Sequence, residues 1–298
     1  LGLTLDYFQK KTTGMLIQKP YIGVIGEGGY KWYNAASMDN SGVEATFTWR
    51  DEIKDFKYDI SFNLSYYKNE ITELYNGVQE YVMATTGMKL AVGHSYGEFY
   101  LNRYAGVNPA NGEQLWYDKD GNVTNEFREG DKVMTGKTYD APWMGGFGTS
   151  LRWKGLQLSA QFSWIGKRYV INNDRFFEES GVTFGTAYNQ SNRLLYDRWK
   201  NPGDITDIPR WGEINQLDDR YLENASFLRM KNLSLSYSLP QRVLRKSNFF
   251  SSVRIFGQAQ NLFTVTGFNG LDPEVSSNVY QAQYPASRQF TMGVEVSF

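Results

Sequence analysis

The sequence has no cysteine and a single histidine, His94. No disulfide framework, zinc–thiolate centre or thiol nucleophile can therefore form, and one imidazole cannot make a multi-histidine metal site. No stretch approaches the roughly 18 consecutive apolar residues of a membrane-spanning helix. Charge of either sign is not in excess: 31 Lys and Arg stand against 32 Asp and Glu, a net charge of −1. That removes the electrostatic case for nucleic-acid binding. The mean hydropathy of −0.51 is compatible with a membrane barrel, because half of each barrel strand and the outer loops are polar.

What is abundant is aromatic side chains, 16% of 298 residues, together with 29 glycines and repeated two-residue alternation. At the C-terminus Phe290, Met292, Val294, Val296 and Phe298 share one parity, and Gln289, Thr291, Gly293, Glu295 and Ser297 share the other. Side chains of a strand alternate between faces, so this is an apolar face backed by a polar one. A barrel strand crossing a membrane needs about 9–11 such residues, and an aromatic final residue fits a closing strand. The same alternation runs through 1–8, 43–50, 56–66, 147–153, 156–164, 233–239 and 253–259. A parity change near Asn232 predicts a bulge. These make about eight strands.

The connections predict more than the strands do. Short ones, Asp51–Asp55, Lys154-Gly155 and Pro240–Asn248, alternate with long ones, Lys10–Ser41, Lys68–Met144, Gly166–Ala225 and Phe263–Ala286. Short periplasmic turns and long extracellular loops are the pattern of outer-membrane barrels. With Phe298 at the periplasmic side, every short connection falls there and every long one outside. Trp49 and Phe56 lie near the inner turns, and Tyr66, Tyr67 and Trp164 near the outer loops, as two interfacial girdles would require. A soluble antiparallel sheet accounts for the alternation but not for the loop asymmetry. By parity Glu44, Lys57, Asp59, Asn63, Gln157 and Gln161 face the lumen.

Several segments resemble the SusC/RagA family of TonB-linked outer-membrane proteins. They are Asn224-Ala-Ser-Phe-Leu-Arg-Met-Lys-Asn-Leu-Ser-Leu-Ser-Tyr-Ser-Leu-Pro240, Arg254-Ile-Phe-Gly-Gln-Ala-Gln-Asn-Leu-Phe-Thr-Val-Thr-Gly267 with Gly270-Leu-Asp-Pro-Glu-Val275, and Tyr284-Pro-Ala-Ser-Arg-Gln-Phe-Thr-Met-Gly293. Asn40-Ser-Gly-Val-Glu44 and Pro142-Trp-Met-Gly-Gly-Phe147 are similar to earlier landmarks of the family. The resemblance implies an all-β, antiparallel transmembrane barrel of about 22 strands around a plug domain. Residues 1–298 would be its C-terminal portion, since the chain opens at Leu1 in mid-strand and contains no plug. It also implies import of large nutrients, glycans or peptides, across the Gram-negative outer membrane. Implied partners are a SusD-like surface lipoprotein as lid, and the TonB complex through a part this chain lacks. No cofactor, metal or catalytic group is expected. The alternatives from other classes are a small eight-stranded surface barrel with an adhesion or structural role, and a soluble carbohydrate-binding sandwich.

Local motifs add little chemistry. Gly93-His-Ser-Tyr-Gly97 fits a nucleophile elbow, but the only histidine is the adjacent His94 and no strand–turn–helix surrounds it. Asp118-Lys-Asp-Gly-Asn122 puts Trp116 and Phe127 at ligand positions of a calcium loop, so a tight turn in a hairpin is expected instead. Paired acids at Asp51/Glu52, Glu178/Glu179 and Asp218/Asp219 set no separation for glycoside hydrolysis, although Asp218/Asp219 are candidates for a loop cation. Trp32, Tyr33, Trp116, Tyr117, Trp199 and Trp211 fall in predicted outer loops. Of these Trp116, Tyr117, Trp199 and Trp211 are candidate substrate-stacking residues, with loop packing as the competing role. Arg193, Arg198, Arg210 and Arg220 share the third long loop. Phe290, Met292, Val294, Val296 and Phe298 are candidates for a C-terminal assembly signal.

Overall fold

The computed structural model of the chain describes residues 1–20, 30–83, 87–185, 187–245, 249–281 and 283–298. Eight strands form its main sheet: β1 (Gly2–Pro20), β2 (Tyr30–Ile53), β3 (Phe56–Leu74), β4 (Trp143–Trp153), β5 (Leu156–Gly166), β6 (Phe227–Ser238), β7 (Ser252–Gln260) and β8 (Gln289–Ser297). They lie side by side in chain order, each antiparallel to the next. A short strand, Thr264–Thr266, continues the line of β7 and pairs with β6. The fold is all-β and antiparallel, as the alternation requires.

The register puts like with like. Phe47, Phe62, Phe147 and Phe162 stand opposite one another across β2 to β5, and the last two rings stack at 4.3 Å. A second row, nearer the other end of the strands, runs from Leu151 through Leu158, Leu235 and Gly257 to Met292, and Ile255 faces Val294. One face of the sheet is therefore apolar from β1 to β8, and it is bare: Leu5 is 65% and Met292 89% exposed. The other face carries Glu44, Asp59, Asn63, Gln157 and Gln161, with Lys57 paired to Glu52 at 2.8 Å and Arg50 bonded to Asp59. Between Gln161 and Phe162 the pairing with β6 skips Lys231, which is the bulge expected near Asn232.

Aromatic pairs mark two levels on the apolar face. Tyr66 and Trp143 lie 4.4 Å apart at one. Trp49 and Tyr58 lie 5.6 Å apart at the other, where Phe56 faces Trp153. From Trp143 to Trp153, β4 climbs about 33 Å along itself, or about 23 Å at a tilt near 45°. An outer-membrane barrel carries an apolar band about 25 Å tall between its girdles.

All short connections lie at the Trp153 end. Ile53 pairs with Phe56 across Lys54-Asp55, and Trp153 with Leu156 across Lys154-Gly155. The third contains a single helical turn, Gln241–Leu244. Lys154 and Gly155 have φ of 47° and 88°, the left-handed pair that a two-residue hairpin demands. A Cβ on Gly155 would lie 2.5 Å from the Ser238 carbonyl oxygen.

One expected loop is largely strand. Across Lys10–Ser41 the β1–β2 ladder continues from Gln9 opposite Ser41 to Pro20 opposite Tyr30, with register shifts around Met15. Trp32 and Tyr33 thus belong to β2 and not to a loop. The sequence pattern stops at residue 8 because Gln9, Lys10, Lys11, Thr12 and Thr13 are polar in a row and the shifts around Met15 follow. The extension is held by a core of Ile17, Ala35, Ala36, Ile71, Leu74 and Leu90. Two further cores, one of Met88, Phe99, Leu101, Ile171, Tyr221 and Leu222 and one of Val170, Ala225, Phe268, Val275 and Tyr280, fill the other long connections.

Replacing Gly155 by alanine forces a side chain into a left-handed turn against backbone. A loss of about 1–3 kcal/mol is expected, read as a lower unfolding midpoint of the heat-modifiable barrel in a denaturant series.

Candidate functional site

The long connections form one folded crown, and its keystone is Asp218. This carboxylate is fully buried. It accepts from Trp116 Nε1 at 2.8 Å and from Arg220 at 3.0 Å. Arg220 also donates to Gln114 Oε1 at 2.9 Å, and its guanidinium lies 4.0 Å over the Tyr104 ring. Gln114 reaches the Ile214 carbonyl, and the Tyr104 amide donates to Asp219. The connection between β3 and β4 is thereby tied to that between β5 and β6. Burial pushes the Asp218 carboxyl up, and Arg220 and the indole N–H pull against that. The cation beside Asp218 in this structure is an arginine of the chain itself.

Beside the keystone, α1 (Asn173–Glu178) and α2 (Arg193–Tyr196) carry a lattice of charge. Asn172 caps α1 by accepting from the Arg175 amide at 3.1 Å. Arg175 donates to Glu179 at 2.9 Å, to Asp207 at 3.1 Å and to Glu223 at 3.3 Å. Arg193 donates to both oxygens of Asp207, at 2.7 and 2.9 Å, and at 2.5 Å to Glu179. Burial alone would raise the Asp207 carboxyl, but hydrogen bonds and charge from Arg193, with Arg175 behind, hold it below the usual carboxylate range. Farther along, Arg229 and Lys231 of β6 bind Asp272 and Glu274 at 2.5 to 2.9 Å, fixing the β7–β8 connection.

A cavity of about 590 Å³ opens where that last connection meets α1 and α2. Asp174, Arg175, Glu178, Glu179, Arg193 and Asp207 line one side, and Gly270, Leu271 and Tyr280 the other.

The four candidate stacking aromatics do not share a face. Trp116 is 4% exposed with its N–H committed to Asp218, so it packs the crown. Its neighbour Tyr117 is half-buried beneath the Arg103 guanidinium, 5.4 Å away. Trp199 donates to the Pro109 carbonyl at 3.1 Å and lies on Gly112, where a Cβ would meet its ring at 2.5 Å. Trp211 alone is open, 57% exposed with Arg198 stacked at 5.4 Å. Arg193, Arg210 and Arg220 all pair within the crown. The residues that sequence reasoning passed over are Arg175, Asp207 and Glu223. Only the Arg175/Glu179 spacing of four on a capped helix signals any of them.

The other motifs resolve as structure. Ser95 Oγ donates to Asn69 Oδ1 at 2.8 Å, while His94 Nδ1 faces Glu98 at 3.0 Å, so no nucleophile–base pair forms. Asp118 Oδ1 accepts from the amides of Asp120 and Asn122, and Gln114–Tyr117 pairs with Val123–Thr124 in the expected hairpin. Among the described residues no group of three or more acidic or histidine side chains is placed to hold a metal.

At the opposite end, β8 presents Phe290, Met292, Val294 and Val296 on the apolar face, and its pairing runs from Ser252 opposite Ser297 to Gln260 opposite Gln289. Phe298 lies at the rim of the short turns, 5.0 Å from Phe249 and 5.6 Å from Phe250.

No family model matches the chain. Among solved structures it is similar to a chain of the RagAB peptide transporter, with a TM-score of 0.89 and 35% identity over 99% of this chain and 33% of that one. Fold and sequence both resemble those of SusC/RagA-type TonB-dependent receptors. Among curated proteins it is similar to a TonB-dependent receptor of Formosa agariphila, 28% identical over 100% of this chain and 32% of that protein. It is likewise similar to the TonB-dependent receptor SusC of Bacteroides thetaiotaomicron, 27% identical over 89% of this chain and 27% of that protein. The chain thus spans about a third of the length of these relatives. Its place is the outer membrane.

Trp116→Phe removes a donor from the buried Asp218. A cost of about 1–3 kcal/mol to the crown is expected, seen as faster proteolysis within 102–124 while the sheet stays heat-modifiable. A second expectation concerns acid. The folded crown holds the Asp207 proton less tightly than the unfolded chain does, so its stabilisation is complete above the usual aspartate range and is lost as pH falls through the depressed value. Hydrogen exchange in 172–179 and 191–208, corrected for intrinsic rates, should be constant down to about pH 4 and rise below it.

Proposed function

We propose that residues 1–298 form the C-terminal part of the barrel of a TonB-dependent importer, and that its work is transport rather than catalysis. The observation that carries this is the split of the molecule. A continuous apolar face across eight strands is bare, while every large buried core lies at one end, among the long connections and the extensions of β1 to β3. In water such a face would be covered; in lipid it is the required surface. The folded crown would stand outside the cell, where solutes arrive, and the short turns would face the periplasm.

The cargo in this reading is a large nutrient, a glycan or a peptide, captured between the crown and a SusD-like surface lipoprotein. Energy would come from the TonB complex through a part of the protein outside these residues, which would also supply the plug. The solved relative is a peptide transporter by its own description. β1 and β8 lie at opposite edges of the sheet, which weighs against a small closed eight-stranded barrel.

Deletion of the gene, with complementation, tests the reading: uptake of one class of oligomeric nutrient should be lost and restored. Unchanged growth on every glycan and peptide offered would sink it. Phe298→Ala should lower the amount of heat-modifiable barrel in outer-membrane fractions severalfold, while the molecules that do assemble transport normally. Wild-type amounts of folded protein would remove Phe298 from assembly.

A further inference from the structure

The connection between β6 and β7 differs from the other two short turns. From Leu239 to Ser252 it contains no Asp or Glu. Its single helical turn, Gln241–Leu244, is pinned along one face: Gln241 Nε2 donates to the Ser251 carbonyl at 3.1 Å, and Leu244 is buried. Residues three apart share a helix face. Arg242 and Arg245 therefore stand together on another face, with Arg245 keeping helical backbone angles as the C-cap. Both are exposed, and neither guanidinium has a hydrogen-bond or ion-pair partner among the described residues. Like charges at neighbouring positions of a helix destabilise it. The acid of the β2–β3 turn, by contrast, has a cation: Lys154 lies 3.8 Å from Asp55.

The same connection carries bare apolar surface. Val243, Phe249 and Phe298 are each more than half exposed, and the Phe249 and Phe250 rings meet Phe298 at 5.0 and 5.6 Å. Phe298 has the parity of Phe290 to Val296, the apolar face of the sheet. The depth of the turn follows from register. Tyr237 stands opposite Leu156, which pairs with Trp153 at the aromatic level of the short turns. Pairing runs on through Leu239, whose amide donates to the Val253 carbonyl at 2.9 Å. Pro240 is thus three residues beyond that level, about 10 Å along a strand or about 7 Å at a tilt near 45°. The polar layer on either side of the hydrocarbon is about 5–7 Å thick. The two arginines sit at headgroup depth.

We propose that this turn binds an anionic phospholipid of the periplasmic leaflet. Arg242 and Arg245 take its phosphate between them, and Val243, Phe249 and Phe298 lie along the start of its acyl chains. One such molecule meets both demands: it supplies the anion that the turn lacks and the hydrocarbon that covers its rings. An acidic soluble partner brings charge without hydrocarbon, and a zwitterionic lipid brings hydrocarbon without net charge. The proposal rests on the orientation in the import reading, with the short turns at the periplasm, and adds a lipid ligand there.

The test uses the full-length protein in detergent, with phosphatidylglycerol and phosphatidylcholine as probes and bound lipid counted by native mass spectrometry. Each arginine beside an anionic headgroup is worth about fivefold in affinity. The double variant R242Q/R245Q should therefore bind phosphatidylglycerol about 25-fold more weakly and phosphatidylcholine as before. Equal affinity of the unaltered protein for the two lipids, or a preference that survives in R242Q/R245Q, overturns the proposal. If the double variant folds poorly, R242Q and R245Q singly decide: each should lose about fivefold, and no loss in either overturns the proposal. Val243→Cys separates the two readings. Labelling of V243C in intact cells by an impermeant maleimide puts the turn outside and defeats that orientation, and this proposal with it. Absence of a lipid preference while V243C stays shielded defeats this proposal alone.

Discussion

Everything in this chain depends on where backbone hydrogen bonds can close. In hydrocarbon an unpaired N–H or C=O costs several kcal/mol, so a segment in lipid must pair along its whole length. The chain meets this by meandering. Each strand from β1 to β8 pairs with its sequence neighbours, and between the aromatic levels the ladders from β3 to β6 are interrupted only by the bulge at Lys231. Once pairing is fixed, the two-residue period sends one set of side chains to lipid and the other to the opposite face. The apolar face need not be packed by protein. That frees the connections to hold the hydrophobic cores, the reverse of a soluble sandwich.

The crown answers to a different constraint. Its sheets have only two or three short strands, so side chains satisfy much of the remaining backbone. Asp218, Asp219, Asn69 and Asp118 each accept from backbone or indole N–H groups, and Arg175, Arg193 and Arg220 link segments far apart in sequence. Buried charge of this sort is weak evidence for net stability. What it does fix is geometry, since a buried ion tolerates few arrangements that keep its partners. The cavity exists because that geometry holds two connections apart.

The sheet was legible because period two is written directly in the residues: Phe56 to Tyr66, Leu156 to Trp164 and Phe290 to Phe298 need no tertiary information. The bulge at Lys231 was also visible, as a parity change. The outer extensions of β1 and β2 were not, because the polar run from Gln9 to Thr13 and the shifts around Met15 end the period, and their burial comes from residues in another connection, such as Leu90. In the crown the loop tryptophans were visible as residues but not as roles. Trp116 and Trp211 look alike in sequence; one is buried against Asp218 and the other is open. Nothing local distinguishes them, because the carboxylate that decides is about a hundred positions away.

That separation bears on how the chain assembles. Hairpins with two-residue turns close quickly and locally, whereas contacts across long loops must first overcome the entropy of closing them. The Trp116–Asp218 tie cannot form until β4 and β5 are in place and both flanking connections have emerged on the same side of the sheet. The membrane part can therefore zip together strand by strand, with the crown setting last. For that interval the sheet is paired while its long connections stand unfinished, open to any protease that reaches them until the crown closes.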